Sequence, residues 1–220
     1  MDIRFKKNFL FDLDGTLVDS NQLHSLAFQQ VLSRSAPEIL ASFDYEGIKG
    51  RRTSDVFAEY GFSSAEQISL LTAEKQSAYF SAIATYGLPL IPGAREILDF
   101  LAGNQRGLYL VSAGSRTSVE EALRAAGIRD YFSGVVTSDD VTRSKPSPDI
   151  YLKCLELHDL PAAQCVAVED SGSGLQASMD AGIDSVLVSR DAGMDGSYET
   201  FATLEKFYDH VVEAFGNRNG

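Results

Sequence analysis

The chain has 220 residues, 44% hydrophobic and 23% charged. That is long enough to bury a sizeable core and too apolar for an intrinsically disordered segment. A formal net charge of −12, with no basic run to offset it, argues against nucleic acid or an anionic membrane surface as partner. An anionic substrate would therefore have to meet positive charge supplied locally. Cys154 and Cys165 lack metal-type spacing and read as small buried thiols in a reducing compartment. The N-terminus lacks the apolar centre of a signal peptide, and no run approaches the roughly 20 apolar residues that span a bilayer. The expectation is a soluble, cytoplasmic protein, a monomer or small homo-oligomer.

Asn8 to Leu13 is an apolar run that reads as a buried strand. From Asp19 to Leu90 helical spacing dominates. Leu23, Ala27 and Val31 recur every four residues, and Ser33–Pro37 breaks the pattern. Thr53 to Tyr60 predicts a short helix capped by Thr53 or Ser54, with Gly61 just past its end. Ser64 and Gln67 form the pattern of a capping box for a longer helix that carries Ile68, Leu71, Ala78 and Ala82 and stops near Gly87. Lys75 interrupts that stripe. Pro89, Pro92 and Gly93 mark a boundary.

Beyond it helix and strand alternate. A helix through Ile97 and Leu101 precedes a strand at Gly107–Ser112. The next helix is capped by Thr117 or Ser118 and ended by Gly127. Val135–Val136 is a short strand, and Ser147–Pro148–Asp149 begins a helix as cap, first-turn proline and acid. Strands at Cys165–Val168 and Ser185–Val188 flank a helix stopped by Gly182. A last helix runs from Ser197 to Phe215, with a loose tail at 216–220. About five strands in such alternation imply an α/β fold: a Rossmann-like parallel sheet with helices on both faces. The expected division is a core of residues 1–18 and 92–220, with an all-helical insert at 19–91.

In open α/β sheets ligands bind outside the carboxyl ends of the strands. The first strand delivers Asp12 and Asp14 there, followed by Gly15 and Thr16. The second delivers Ser112 and Ala113, and after the third come Asp139, Asp140 and Lys145. The fourth delivers Glu169 and Asp170, followed by Ser171–Gly172–Ser173–Gly174. Two carboxylates leaving one buried strand repel each other unless a cation or a proton lies between them. Clustered carboxylates suit a hard cation such as Mg²⁺, while Lys145 and Ser112 suit a phosphate. Backbone N–H groups near Gly15 and Thr16 add to an anion cradle, and Arg51, Arg52 and Arg116 are further sources of positive charge. Plainer readings stand beside these. Asp19 and Ser20 cap a helix, Asp139–Asp140 is a solvated turn, His24 is structural, Arg51–Arg52 is an exposed basic pair, and Glu169 lies outside the metal's ligands.

The motifs Asp12-Leu-Asp-Gly-Thr-Leu-Val-Asp-Ser20, Ser112 after a strand, Lys145-Pro-Ser-Pro-Asp149 and Glu169-Asp-Ser-Gly-Ser-Gly174 occur in one order across the core. Together they resemble the four motifs of the haloacid dehalogenase superfamily. The helical insert resembles the small cap of its phosphatase and β-phosphoglucomutase-like members. The resemblance implies that Asp12 is a nucleophile forming an aspartyl-phosphate and Asp14 the general acid and base. Asp12, Asp14 and Asp170, assisted by Glu169, would hold Mg²⁺. Ser112, Ala113, Thr16 and Lys145 would bind the transferring phosphoryl group, and His24, Arg51 and Arg116 would act as substrate-binding residues. Thr53 and Arg116 stand where the mutases carry an arginine and an asparagine. The implied activity is therefore hydrolysis of a small phosphorylated metabolite, a sugar phosphate or phosphoglycolate. The alternatives are a sugar phosphomutase and a non-catalytic phosphate-binding protein.

Overall fold

The computed structural model describes residues 1–189 and 198–216. Strand β1 (Asn8–Phe11) leads into the helices α1 (Asn21–Ser35), α2 (Pro37–Leu40), α3 (Thr53–Glu59) and α4 (Ala65–Tyr86). There follow α5 (Ala94–Gly103), β2 (Gly107–Val111), α6 (Arg116–Ala126), β3 (Gly134–Val136) and α7 (Asp149–Leu157). The chain ends with β4 (Cys165–Glu169), α8 (Gly172–Asp180), β5 (Asp184–Val188), β6 (Glu199–Phe201) and α9 (Leu204–Gly216). The six strands form one sheet in the order β3-β2-β1-β4-β5-β6, with every pairing parallel. Among the described residues, no helix is long and apolar enough to cross a membrane.

Because side chains alternate along a strand, β1 feeds two cores. Phe9 and Phe11 enter one with Ile97 and Leu101 of α5 and Phe207 and Val211 of α9. Leu10 enters the other with Ile150, Tyr151 and Cys154 of α7 and Ala177 of α8. Helices therefore cover both faces. Each apolar residue of β1 is fully buried, which fixes the register of the central strand. Asp12 continues that strand, its N–H donating to the Val168 carbonyl at 3.0 Å. Both cysteines are free and buried, and burial pushes the Cys154 thiol up to about 12 and Cys165 to about 11.

The helical segment has a cluster of its own: Phe28, Leu32, Val56, Phe57, Phe62 and Leu71. Its two connections to the sheet lie side by side. The Asp19 N–H donates to the Pro89 carbonyl and the Ile91 N–H to the Leu17 carbonyl, each at 2.9 Å. Gly50 lies so close to the sheet-bearing part that a Cβ there would meet Ser171 Oγ at 2.3 Å, and its φ is +72°.

Several expectations are corrected. Helix α3 starts at Thr53, so Thr53 and Ser54 lie inside it, and Arg52 holds the cap position with no side-chain cap, because a guanidinium has no acceptor for the first N–H groups. Ser115, not Thr117 or Ser118, caps α6, accepting from the Ser118 N–H. Helix α7 begins at Asp149, after Pro148 rather than with it. The expected last helix is in fact strand β6 followed by α9. Three residues are too few to show an alternation, and β6 takes its register from β5. Ser197, the expected helix start, and 217–220 of the expected tail lie outside the described residues.

Phe57 is fully buried among Phe28 and Phe62, with ring centroids 5.5 and 5.8 Å away. Phe57→Ala should destabilise the helical segment by about 3–5 kcal/mol. Urea unfolding followed by far-ultraviolet circular dichroism reads this as a lowered midpoint or a separate early transition.

Candidate active site

The C-terminal ends of β1 and β4 are neighbours in the sheet, so the residues just beyond them converge. Lys145 sits at their centre with its side chain wholly buried. Its Nζ donates to Asp12 Oδ1 at 2.6 Å, to Glu169 Oε1 at 2.6 Å and to the Val111 carbonyl at 2.8 Å. All three ammonium protons are thereby used, and Asp12 and Glu169 together raise the Lys145 pKa against the effect of burial. The Tyr151 hydroxyl also donates to Glu169 Oε1.

Asp12, Glu169 and Asp170 each present a carboxylate oxygen, all within 4.8 Å of one another. Glu169 Oε2 and both oxygens of Asp170 are buried and accept no hydrogen bond, and Asp170 has only an ion pair with Lys49 at 3.0 Å. Burial, opposed by Lys49, pushes Asp170 up to about 6. Burial also raises Asp12; Lys145 opposes it, and the neighbouring carboxylates add to it. Gly15 closes the far side, where a Cβ would lie 2.0 Å from Asp170 Oδ2. Unpartnered buried carboxylate oxygens with no soft ligand among them fit a hard divalent cation.

Asp14 has different surroundings. Its Oδ1 accepts from Ser20 Oγ at 2.6 Å and lies 3.0 Å from His24 Nε2 and 3.5 Å from the Tyr79 hydroxyl. Burial works against its charge, but His24 and Ser20 outweigh it and hold Asp14 down at about 2. Ser20 thus occupies the cap position of α1 while spending its hydroxyl on Asp14. Behind His24, its Nδ1 lies 2.6 Å from Lys75 Nζ. A His24 tautomer with its proton on Nε2 satisfies both contacts. The imidazole stacks on Tyr79 with centroids 3.9 Å apart, and Lys75 lies over the Phe28 and Tyr79 rings at 4.9 and 5.3 Å.

The cavity in front of these groups is lined by Asp12, Asp14, His24, Ser112 and Ala113 among others. The helical segment contributes Tyr45, Arg51, Arg52, Thr72, Lys75, Gln76 and Tyr79. Ser112 is buried and accepts from the Gly114 N–H at 3.1 Å. Thr16 is buried behind the wall with its hydroxyl unpartnered. Arg116 does not line the cavity. Its guanidinium pairs with Asp140 Oδ2 at 2.5 Å and reaches the Val135 carbonyl, so it is withdrawn as a substrate-binding residue. Asp140 also caps its own turn through the Thr137 N–H.

A family model described as haloacid dehalogenase-like hydrolase matches residues 9–188. The chain belongs to this family. It is 31% identical over 182 residues to the fructose-1-phosphate phosphatase YqaB of Escherichia coli, covering 80% of this chain and 93% of that one. It is 29% identical over 181 residues to a phosphorylated carbohydrates phosphatase of Thermotoga maritima, covering 80% and 82%. CbbY of Rhodobacter sphaeroides, solved in complex with phosphate, has the same fold with a TM-score of 0.77 at 24% identity, covering 92% and 96%.

Tyr45, Lys75, Gln76, Tyr79 and Tyr151 escape the motif pattern. Lys75 carried the one usable signal: a lysine on an apolar helix stripe, buried to 6% exposure, must find a partner or lose its charge. Burial holds Lys75 down at about 8, from 10.5 in an unfolded chain. The folded state therefore disfavours the proton: the penalty is full below about pH 8 and fades as pH rises towards 10.5. Lys75→Met should be more stable than the parent at pH 7, by about 1–3 kcal/mol. The gap should close as pH rises to about 10. Urea denaturation of both proteins across that range checks it; a gap that widens with pH would contradict the assignment.

Proposed function

We propose that the protein is a Mg²⁺-dependent phosphatase acting on a small phosphorylated carbohydrate through an aspartyl-phosphate on Asp12. The observation that carries this reading is Lys145 held between Asp12 and Glu169, beside an Asp170 carboxylate that accepts no hydrogen bond. A site whose fixed groups are arranged to gather negative charge suits phosphoryl transfer, where positioning and charge compensation are the main catalytic task. The phosphatase names of relatives at about 30% identity support it.

Asp12, Asp170 and the main-chain carbonyl of Asp14, with Glu169 assisting, would hold Mg²⁺, which when bound neutralises phosphoryl oxygens and the two carboxylates facing them. Asp12 attacks phosphorus as the bond to the substrate oxygen breaks, and protonated Asp14 gives its proton to that leaving oxygen. Asp14 then takes a proton from the water that attacks phosphorus. The bond between phosphorus and Asp12 breaks, releasing inorganic phosphate and free Asp12. Lys145, the Ser112 hydroxyl and the Ala113 N–H offset the charge on the phosphoryl oxygens, while Thr16, buried behind the wall, does not reach them. The arrangement leaves Asp14 ionised, ready to act as the base of the second step. An arriving phosphate dianion would raise its proton affinity for the first step. In this reading residues 19–91 are a lid that excludes water and selects the substrate, with His24 and Arg51 on its inner surface.

With Mg²⁺ present the protein should release phosphate from p-nitrophenyl phosphate. Asp12→Asn should lower kcat by at least about 10³-fold, the scale expected when a covalent step is removed, and a chelator should abolish turnover reversibly. Phosphate release that persists at parental rate in Asp12→Asn would sink the aspartyl-phosphate route.

A further inference from the structure

Asp14 uses only half of its carboxylate to hold itself in place. Ser20, His24 and Tyr79 all meet Oδ1. Among the described residues none meets Oδ2, and the side chain remains 23% exposed on the cavity wall. Oδ2 is therefore the oxygen left to exchange a proton with a reactant. The groups packed around Asp14 have little to offer a second molecule there. Ser20 is fully buried and gives its proton to Oδ1. Both ring nitrogens of His24 are spent, on Asp14 and on Lys75. Tyr79 is buried with its hydroxyl turned to Oδ1, and an ammonium such as that of Lys75 has no lone pair to accept with.

Tyr45 is the exception. It stands just before the short turn Glu46–Ile48 of the helical segment, packs against the Phe28 cluster and lines the same cavity as Asp12 and Asp14. Its ring lies 11° from parallel to the His24 imidazole, with centroids 6.5 Å apart. It therefore stands alongside the histidine that holds Asp14. The residue is half-buried, and among the described residues its hydroxyl has no hydrogen-bond partner and is not sealed from the cavity. Burial, then Asp14, Asp170 and Asp12, push its pKa well above the usual phenol value. The phenol stays neutral, with one proton to donate and lone pairs to accept with. The same three carboxylates border the space that its hydroxyl faces, between the proton-handling acid and the nucleophile.

In the two-step route the leaving oxygen and the attacking oxygen occupy one position in turn, in line with Asp12 across phosphorus. They differ in their protons. An alcohol has a single O–H, and that proton passes between its oxygen and Asp14. A water has two. One goes to Asp14 Oδ2 as the water oxygen bonds to phosphorus and the bond from phosphorus to Asp12 breaks. The other stays on that oxygen, leaves with inorganic phosphate, and needs an acceptor while the water is held. We infer that the Tyr45 hydroxyl is this acceptor: a catalytic group on the helical segment that orients the hydrolytic water and so favours water over an alcohol in the second step. The inference rests on the phosphatase reading above and adds a reason why the phosphoryl group goes to water rather than back to a sugar hydroxyl.

Turnover of p-nitrophenyl phosphate in the presence of glycerol separates the steps. p-Nitrophenol counts transfer to Asp12, inorganic phosphate counts transfer to water, and the difference counts transfer to glycerol. Tyr45→Phe keeps the ring beside His24 and removes only the hydroxyl. It should slow phosphate release at least about tenfold, the scale of one hydrogen bond lost in the transition state. Its first turnover of p-nitrophenol, read by stopped flow, should stay within about twofold of the parent's, which also reports an intact fold. The share passed to glycerol should rise at least about fivefold. Tyr79→Phe, which removes the hydroxyl on the Oδ1 side, should keep the parent's share. An equal rise in Tyr79→Phe would mean a general loosening of the cavity and would overturn the inference. So would a first turnover and a steady rate that fall together in Tyr45→Phe, or a raised KM with an unaltered share; in each case the phosphatase reading stands. No p-nitrophenol from the parent with Mg²⁺ present would instead remove that reading, and this inference with it.

Discussion

Everything at the carboxyl edge of this sheet depends on how negative charge is compensated where water is scarce. The chain carries −12 overall, and parallel strands deliver Asp12, Asp14, Glu169 and Asp170 to one rim. One lysine meets part of that demand. Lys145 satisfies one oxygen each of Asp12 and Glu169 and leaves Asp170 to an ion pair with Lys49 of the helical segment. Removing one partner of such a buried cluster leaves a stranded charge, typically costing about 3–5 kcal/mol. The cluster is therefore a poor way to stabilise a fold and a good way to hold a place for a cation and an anion together.

Backbone packing sets these positions closely. Gly15 and Gly174 stand where a Cβ would fall 2.0 Å from Asp170 Oδ2 and from Glu169 Oε2. The two acids are thus walled in by main chain on two sides. Such close walls leave little freedom for the carboxylates to turn away from one another, which is the form preorganisation takes here. The apolar residues of β1 contribute to the same end: with Phe9, Leu10 and Phe11 committed to opposite cores, the strand cannot slide and Asp12 cannot leave the rim.

The motif residues were legible because strand ends announce themselves: an apolar run that stops in charge can be read without coordinates. So were the sheet class and the helices with strong turn residues at their ends, such as Gly127 after α6. What escaped has physical reasons. Strand β6 has three residues and borrows its pairing from β5. Ser20 sits at a helix start, where a capping role is the ordinary expectation, but its hydroxyl is claimed by Asp14. Arg52 reads as half of an exposed basic pair until the fold brings the Ser138, Val141 and Thr142 carbonyls within its reach. Arg116 looked available beside Ser112, but the turn after β3 supplies Asp140 to pair with it. Gln76 and Tyr79 are unremarkable on a helix until that helix is laid over the rim.

The two leading carboxylates end up under different control. Asp12 is held by Lys145, from the sheet-bearing part of the chain alone. Asp14 takes its low proton affinity largely from His24, whose other nitrogen faces Lys75 on α4. The nucleophile of the proposed reaction is thus fixed, while the surroundings of the proton-handling group depend on where the helical segment sits. If that segment shifts, His24 and Tyr79 withdraw from Asp14 Oδ1 and water enters, whereas Lys145 stays with Asp12. Acid–base chemistry would then be fully assembled only with the cavity covered. That arrangement restrains the same groups from activating water before a substrate is enclosed. Arg52, reaching three carbonyls on the opposite wall, Gly50, pressed against Ser171, and the Lys49–Asp170 ion pair are among the contacts that join the segment to the rim.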